Sequence, residues 1–180
     1  GMFAVEEKEV SVCMGHDKVR DHMSTGAEYI TGADSSCLMH MQGEPRTMQK
    51  NPVYTDLLSE VKSFLAERAR ALTDLGVSAE KIVLDPGFGF GKTVSQNFEL
   101  LAKTEDFLSL GYPLLYGMSR KSSLGAVTGI TKAEERLISS VTAHLLAVER
   151  GASIVRVHDV KQMKEALTIY KAMVHYKDLK

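Results

Sequence analysis

Apolar residues along the chain fall into two rhythms. Short runs rich in β-branched and other apolar side chains read as buried strands: "VSVC" (10–13), "EYIT" (28–31), "CLMHM" (37–41), "KIVLD" (81–85), "PLLYGM" (113–118) and "SIVRVH" (153–158). The longer stretches between them repeat at helical spacing. Over 55–74, Leu57, Leu58, Val61, Leu65, Ala69 and Leu72 form one stripe, with Glu60, Lys62, Glu67 and Arg68 mostly off it. Comparable stripes occupy 95–110, 132–150 and 160–176. Gly76, Gly111 and Gly151 follow the first three of these helices, where capping glycines belong. From residue 37 onward the order is β-α-β-α-β-α-β-α, which predicts an α/β fold with a parallel sheet and helical crossovers.

The front of the chain keeps a different rhythm. The runs at 10–13 and 28–31 predict an N-terminal β-α-β segment over 1–36, ahead of the βα units of 37–180. Five residues, Gly32 to Ser36, separate the second strand from the third. A parallel crossover needs about a dozen, so the alternation breaks there.

In parallel sheets of this kind, ligands gather at the C-terminal ends of strands. Four successive strand ends carry polar groups: Met39 and His40, Asp85 and Lys92, Arg120 and Lys121, then Arg156 and His158. Each has a bland reading, since a lone Arg or Lys is often a solvated loop residue and an Asp often a helix cap. Four such ends on one rim point instead to a polar, anionic ligand. Arg156 can grip phosphate with two parallel donors, with His158 as a further donor. Ser122 stands at the first turn of a helix, where free N–H groups favour a carboxylate or phosphate. Asp85 can accept hydrogen bonds from an amino-heterocycle. "LDPGFGFGKT" (84–93) ends like a Walker loop, but Pro86 stands where the pattern needs its first glycine. Ser119, Ser122 and Ser123 have no triad partner that the sequence places.

Composition narrows the classes further. Hydrophobic content of 44% and charged content of 25% suit a globular domain. A net charge of −1 gives no footprint for nucleic acid or an anionic membrane. No run reaches the roughly 18 apolar residues of a membrane span, and the acidic start (GMFAVEEKEV) is unlike a signal peptide. Cys13 and Cys37 make no metal or redox spacing, so free thiols in the cytoplasm are the expectation.

"LMHMQGEPRTMQ", "LDPGFGFGKT", "LLYGMSRKS" and "IVRVHDV" stand in the order and spacing of the C-terminal half of dihydropteroate synthase, which the chain resembles over about residues 37–178. That family joins p-aminobenzoate to a pterin pyrophosphate in folate biosynthesis. The resemblance implies half of a (β/α)8 TIM barrel, strands five to eight, with the glycine loop after the sixth strand. Asp85 would bind the pterin's amino-pyrimidine edge and Met39 would pack on the ring. Gly87 and Phe88 would lie beside the aminobenzoate, and Ser122 would hold its carboxylate. Lys121, Arg156 and His158 would carry the chemistry. Lys121 would hydrogen-bond the pterin, and Arg156 and His158 would bind the departing phosphates, which travel with Mg²⁺. No metal site of the protein's own is implied.

The chain also departs from that family. A (β/α)8 barrel takes about 250 residues, and the family's N-terminal pterin loop is absent. Residues 3–43 resemble instead the end of a cysteine-rich CCG iron–sulfur domain, as in lactate-utilisation proteins, with Cys37-Leu38-Met39 closing that motif. Its preceding Cys pair is missing, so no cluster is expected. The two resemblances overlap at "CLMHMQG", as in a chimera. Two function classes stand: a dihydropteroate synthase-type transferase, expected to be impaired or inactive as a truncated chain, or a non-catalytic recombined fragment that keeps a pterin- and phosphate-binding rim. Val83, Leu115 and Val155 would face the interior of a half-barrel and need cover, which predicts a homodimer.

Overall fold

The structure, a computed structural model, describes residues 10–12, 29–32 and 54–178. Among the described residues, five short parallel strands carry the fold: β1 (Val10–Val12), β2 (Tyr29–Gly32), β3 (Ile82–Leu84), β4 (Leu115–Tyr116) and β5 (Ile154–Val155). β1 pairs with β2 and β2 with β3, in register Ile30 to Ile82 and Gly32 to Leu84. A parallel bridge from Leu84 to Leu114, with Leu84 N–H donating to Pro113 O at 2.9 Å, links β3 to β4. β4 then pairs with β5, Leu115 opposite Ile154. The order β1-β2-β3-β4-β5 is that of a partial α/β barrel, as expected.

The runs at 10–13 and 28–31 each contribute a strand, as expected. β2 lies directly beside β3. Residues 37–41 lie outside the described residues, as do Met39, His40, Cys13 and Cys37. Val83 and Leu115 are buried and Val155 is half-buried, so the inner face is less open than the half-barrel reading anticipates.

Helices α1 (Leu57–Asp74), α2 (Val94–Ala102), α3 (Ser122–Thr128), α4 (Leu137–Glu149) and α5 (Val160–Val174) follow the strands. α1 forms because its stripe returns every three or four residues, burying Leu57, Val61, Leu65, Ala69 and Leu72. Its start is closed twice: Asp56 accepts from Ser59 N–H at 3.1 Å, and Glu60 reaches back to Asp56 N–H at 3.0 Å. The stripe packs on Ile82 and Leu84, which alternate with Val83 along β3. The helix expected at 95–110 is shorter. It ends at Ala102 and continues as a 3-10 segment, Thr104–Leu110. The cause is Thr104, fully buried, whose hydroxyl meets Leu101 O at 2.9 Å and Tyr116 Oη at 3.0 Å. That turns the chain toward β4 and closes it at Gly111 with φ 77°.

Candidate functional site

Three of the strand-end loops meet on the rim where the β-strands finish. The first, after β3, is the glycine loop. Gly87, Gly89 and Gly91 have φ of 77°, 82° and 57°, the left-handed region that glycine enters without strain. Asp85 is fixed by accepting Gly87 N–H at 2.8 Å. The Walker-like ending is a helix start. Thr93 Oγ1 accepts Gln96 N–H, and Gln96 accepts Thr93 N–H at 2.9 Å, a reciprocal capping box for α2. Lys92 folds back to donate to the carbonyls of Gly87 and Phe90, each at 3.2 Å. In a Walker loop the lysine would reach phosphate instead.

Asn97, on α2 and buried, ties this loop to the next. It accepts Gly89 N–H at 2.6 Å and donates to Ser123 Oγ at 2.9 Å. A cleft of about 250 Å³ opens here, between Gly89–Asn97 and the face of α3 that carries Ser122 and Ser123.

The second loop, 117–121, follows β4. Lys121 Nζ lies 3.6 Å from the centre of the Phe90 ring. Its stem runs along Gly89 so closely that a Cβ there would stand 2.8 Å from Lys121 Cδ. Arg120 takes a left-handed backbone, φ 61°. Its N–H donates to Ser140 Oγ at 2.9 Å and its carbonyl accepts from Arg136 at 2.9 Å. Its guanidinium grips Asp159 with two bonds, 2.7 and 3.2 Å, which hold the guanidinium pKa above its ordinary value. His144 supports the loop from α4. Buried completely, it accepts Met118 N–H on Nε2 at 3.1 Å, and its Nδ1 faces Ser140 O at 2.7 Å. Burial pushes its pKa down, against backbone hydrogen bonds at Ser140, Tyr116 and Arg156 that raise it. The ring is thus neutral, with hydrogen on Nδ1. Burial likewise pushes the Tyr116 phenol up, with its hydrogen bond to Thr104 acting the other way.

The third loop, 156–159, follows β5. The Arg156 guanidinium lies flat against Gly117, where a Cβ would stand 2.7 Å from Nη2 and 3.0 Å from Nε. Among the described residues no carboxylate pairs with Arg156. Asp159, the nearest candidate in sequence, is held by Arg120. His158 is exposed, and its Nδ1 meets Ser119 Oγ at 2.9 Å.

Of the residues singled out in the sequence, Asp85, Gly87, Lys121, Ser122, Arg156 and His158 stand on this rim. Phe88 does not. Its side chain is 1% exposed and packs edge-on against Phe98 in the core, so the aromatic ring at the rim is Phe90. The resemblance places Phe88 beside the aminobenzoate, but between the left-handed Gly87 and Gly89 its ring turns into the core. Gly89, Phe90, Asn97 and Ser119 were missed in the sequence. For Gly89 and Phe90 the signal was present in the G-x-G-x-G spacing of the loop. For Asn97 and Ser119 none was. Among the described residues no three His, Cys, Asp or Glu side chains converge as metal ligands, and no helix is long and apolar enough to cross a membrane.

Comparison with known proteins agrees with this geometry. Residues 15–158 match the family described as pterin binding enzyme, a span that runs across the overlap at 37–43. Dihydropteroate synthase of Escherichia coli (strain K12) is 44% identical over 144 residues, covering 80% of this chain and 51% of that protein. The chain therefore spans about half the length of the curated relatives it matches. In structure it is similar to dihydropteroate synthase from Stenotrophomonas maltophilia, with TM-score 0.78 and 40% identity over 92% of this chain and 69% of that one. The Xanthomonas albilineans enzyme in complex with 7,8-dihydropteroate gives TM-score 0.75 and 34% identity, over 92% and 66%. The chain belongs to the pterin binding enzyme family.

Proposed function

We propose that the rim binds a pterin pyrophosphate and p-aminobenzoate, and that the chain serves dihydropteroate synthesis in the cytoplasm. The observation that carries this is Arg156: a cation held flat on a glycine, unpaired by any described carboxylate, between His158 and the Lys121 loop. A guanidinium so placed suits a phosphate, to which it can donate two parallel bonds. The relative from Xanthomonas albilineans, crystallised with 7,8-dihydropteroate, supports the choice of substrate.

In this reading Asp85, oriented by Gly87 N–H, accepts from the pterin's amino-pyrimidine edge. Lys121 bonds the pterin from above Phe90. Ser122 and the cleft beside it take the aminobenzoate carboxylate. The aromatic amine attacks the pterin's exocyclic methylene. A C–N bond forms, the C–O bond to pyrophosphate breaks, and the amine's proton leaves to solvent. The protein contributes positioning and stabilises charge on the departing phosphate through Arg156 and His158. Mg²⁺ arrives with the pyrophosphate as part of the substrate.

Titration calorimetry with pterin pyrophosphate, followed by a p-aminobenzoate turnover assay, tests the proposal. Arg156→Ala is expected to weaken pterin pyrophosphate by at least about tenfold, the loss of a charge-assisted hydrogen bond. Unchanged affinity would sink the site assignment. Binding without turnover would mark the chain as a ligand-binding fragment of the family, the second function class.

A further inference from the structure

We propose that Ser119 is a positioning residue that holds the His158 imidazole in the tautomer with its hydrogen on Nε2, so that the ring donates outward at the rim. The inference rests on the reading that His158 meets the departing pyrophosphate. It adds a residue, and a hydrogen position, that neither the motifs nor the comparisons assign.

The argument is a count of hydrogens. A serine hydroxyl has one hydrogen and two acceptor lone pairs. His158 backbone N–H donates to Ser119 Oγ at 3.2 Å, which occupies one lone pair. The Nδ1 of the same residue lies 2.9 Å from that oxygen. If Nδ1 carried the ring hydrogen, two N–H groups would point at Oγ, and the hydroxyl hydrogen would need an acceptor elsewhere. Among the described residues no other acceptor lies within hydrogen-bond reach of Ser119 Oγ. Ser119 is only 7% exposed, so water reaches it poorly. The arrangement that satisfies every group has Oγ–H donating to Nδ1.

The charged neighbours leave this arrangement in place. Asp159, adjacent in sequence, could draw an Nδ1–H toward itself, but both its carboxylate oxygens accept from Arg120. Arg156, two residues before His158, offers donors only. Nε2 is then the open nitrogen of an exposed ring, and it carries a hydrogen. The rim then meets an anion with the Arg156 guanidinium and, beside it, the Nε2–H of His158. His144 has the opposite tautomer, because there the backbone supplies both partners.

Spectroscopy of the unaltered full chain decides the tautomer. With ¹⁵N-labelled histidine at mildly alkaline pH, long-range proton–nitrogen correlation is expected to show His158 with Nε2 protonated and Nδ1 bare. The signal is assigned by its loss in His158→Ala. A ring with hydrogen on Nδ1 overturns the proposal, whatever any variant does. Calorimetry with inorganic pyrophosphate gives the second arm. Ser119→Ala frees the ring, and affinity is expected to fall about tenfold, the scale of one hydrogen bond. If His158→Ala weakens pyrophosphate and folded Ser119→Ala does not, the positioning role is overturned while the phosphate reading stands. If His158→Ala itself changes nothing, His158 has no part in binding phosphate and the positioning role falls with it, while Arg156→Ala still tests the phosphate site separately.

Discussion

Gly117 shows how a single hydrogen atom in place of a methyl group shapes the rim. Its backbone is ordinary, so the residue is not needed for a turn. It is needed because the Arg156 guanidinium occupies the space of a side chain. Gly117→Ala should therefore fold, since the far end of an arginine can swing away. Phosphate affinity should drop about tenfold, as for one lost charge-assisted bond, and titration against a thermal melt separates the two effects. Gly89 makes the same kind of contact with Lys121, but at φ 82°. Gly89→Ala is expected to cost stability as well as binding, about 1 kcal/mol or more for a non-glycine in that region, seen as a lower Tm. His144 adds a pH dependence. Its pKa is lowered in the folded state, so the unfolded chain binds the extra proton first. Stability is complete above the ordinary histidine value of about 6.5 and is lost as pH falls below it. His144→Gln should flatten that part of a Tm-against-pH curve, because an amide still accepts Met118 N–H without titrating.

At the scale of elements, the rim is held by cross-links rather than by apolar packing. Asn97 joins the glycine loop to α3 through Gly89 N–H and Ser123 Oγ. Asn97→Ala leaves Gly89 N–H without its acceptor and is expected to destabilise by about 1–3 kcal/mol, measured by chemical denaturation. If stability is unchanged, the link is dispensable. The stripes of α1, α4 and α5 were legible in the sequence, because burial repeats with the helical period. Gly76, Gly111 and Gly151 also fell where expected, each with positive φ. The short α3 and the split at Thr104 were not legible. A seven-residue helix offers too few turns for periodicity to register, and a buried hydroxyl ends a helix through partners distant in sequence. The site was legible in part. Asp85, Lys121, Arg156 and His158 announce themselves by charge at strand ends. Asn97 and Ser119 act through hydrogen bonds whose other half lies 26 and 39 residues away.

Across the whole molecule, the parallel arc leaves apolar side chains in the open at its far end. Ile169, Met173, Val174 and Tyr176 are each more than half exposed, along α5 and just beyond it. We infer that a second copy of the chain covers this face in a two-fold dimer, one patch meeting itself. Sedimentation at low micromolar concentration should show a species of twice the 19.8 kDa chain mass; a monomer throughout would defeat the inference. One further consequence comes from the left-handed backbone of Arg120. It fans three successive side chains toward three different neighbours: Ser119 to His158 after β5, Arg120 to the start of α5, and Lys121 to the glycine loop. The reading frame of this tripeptide, and not just its chemistry, therefore aligns the rim. Replacing any one of the three breaks one connection. Inserting a single glycine among them would rotate the fan and break all three together, a loss far larger than the sum of the separate substitutions' effects on any one ligand.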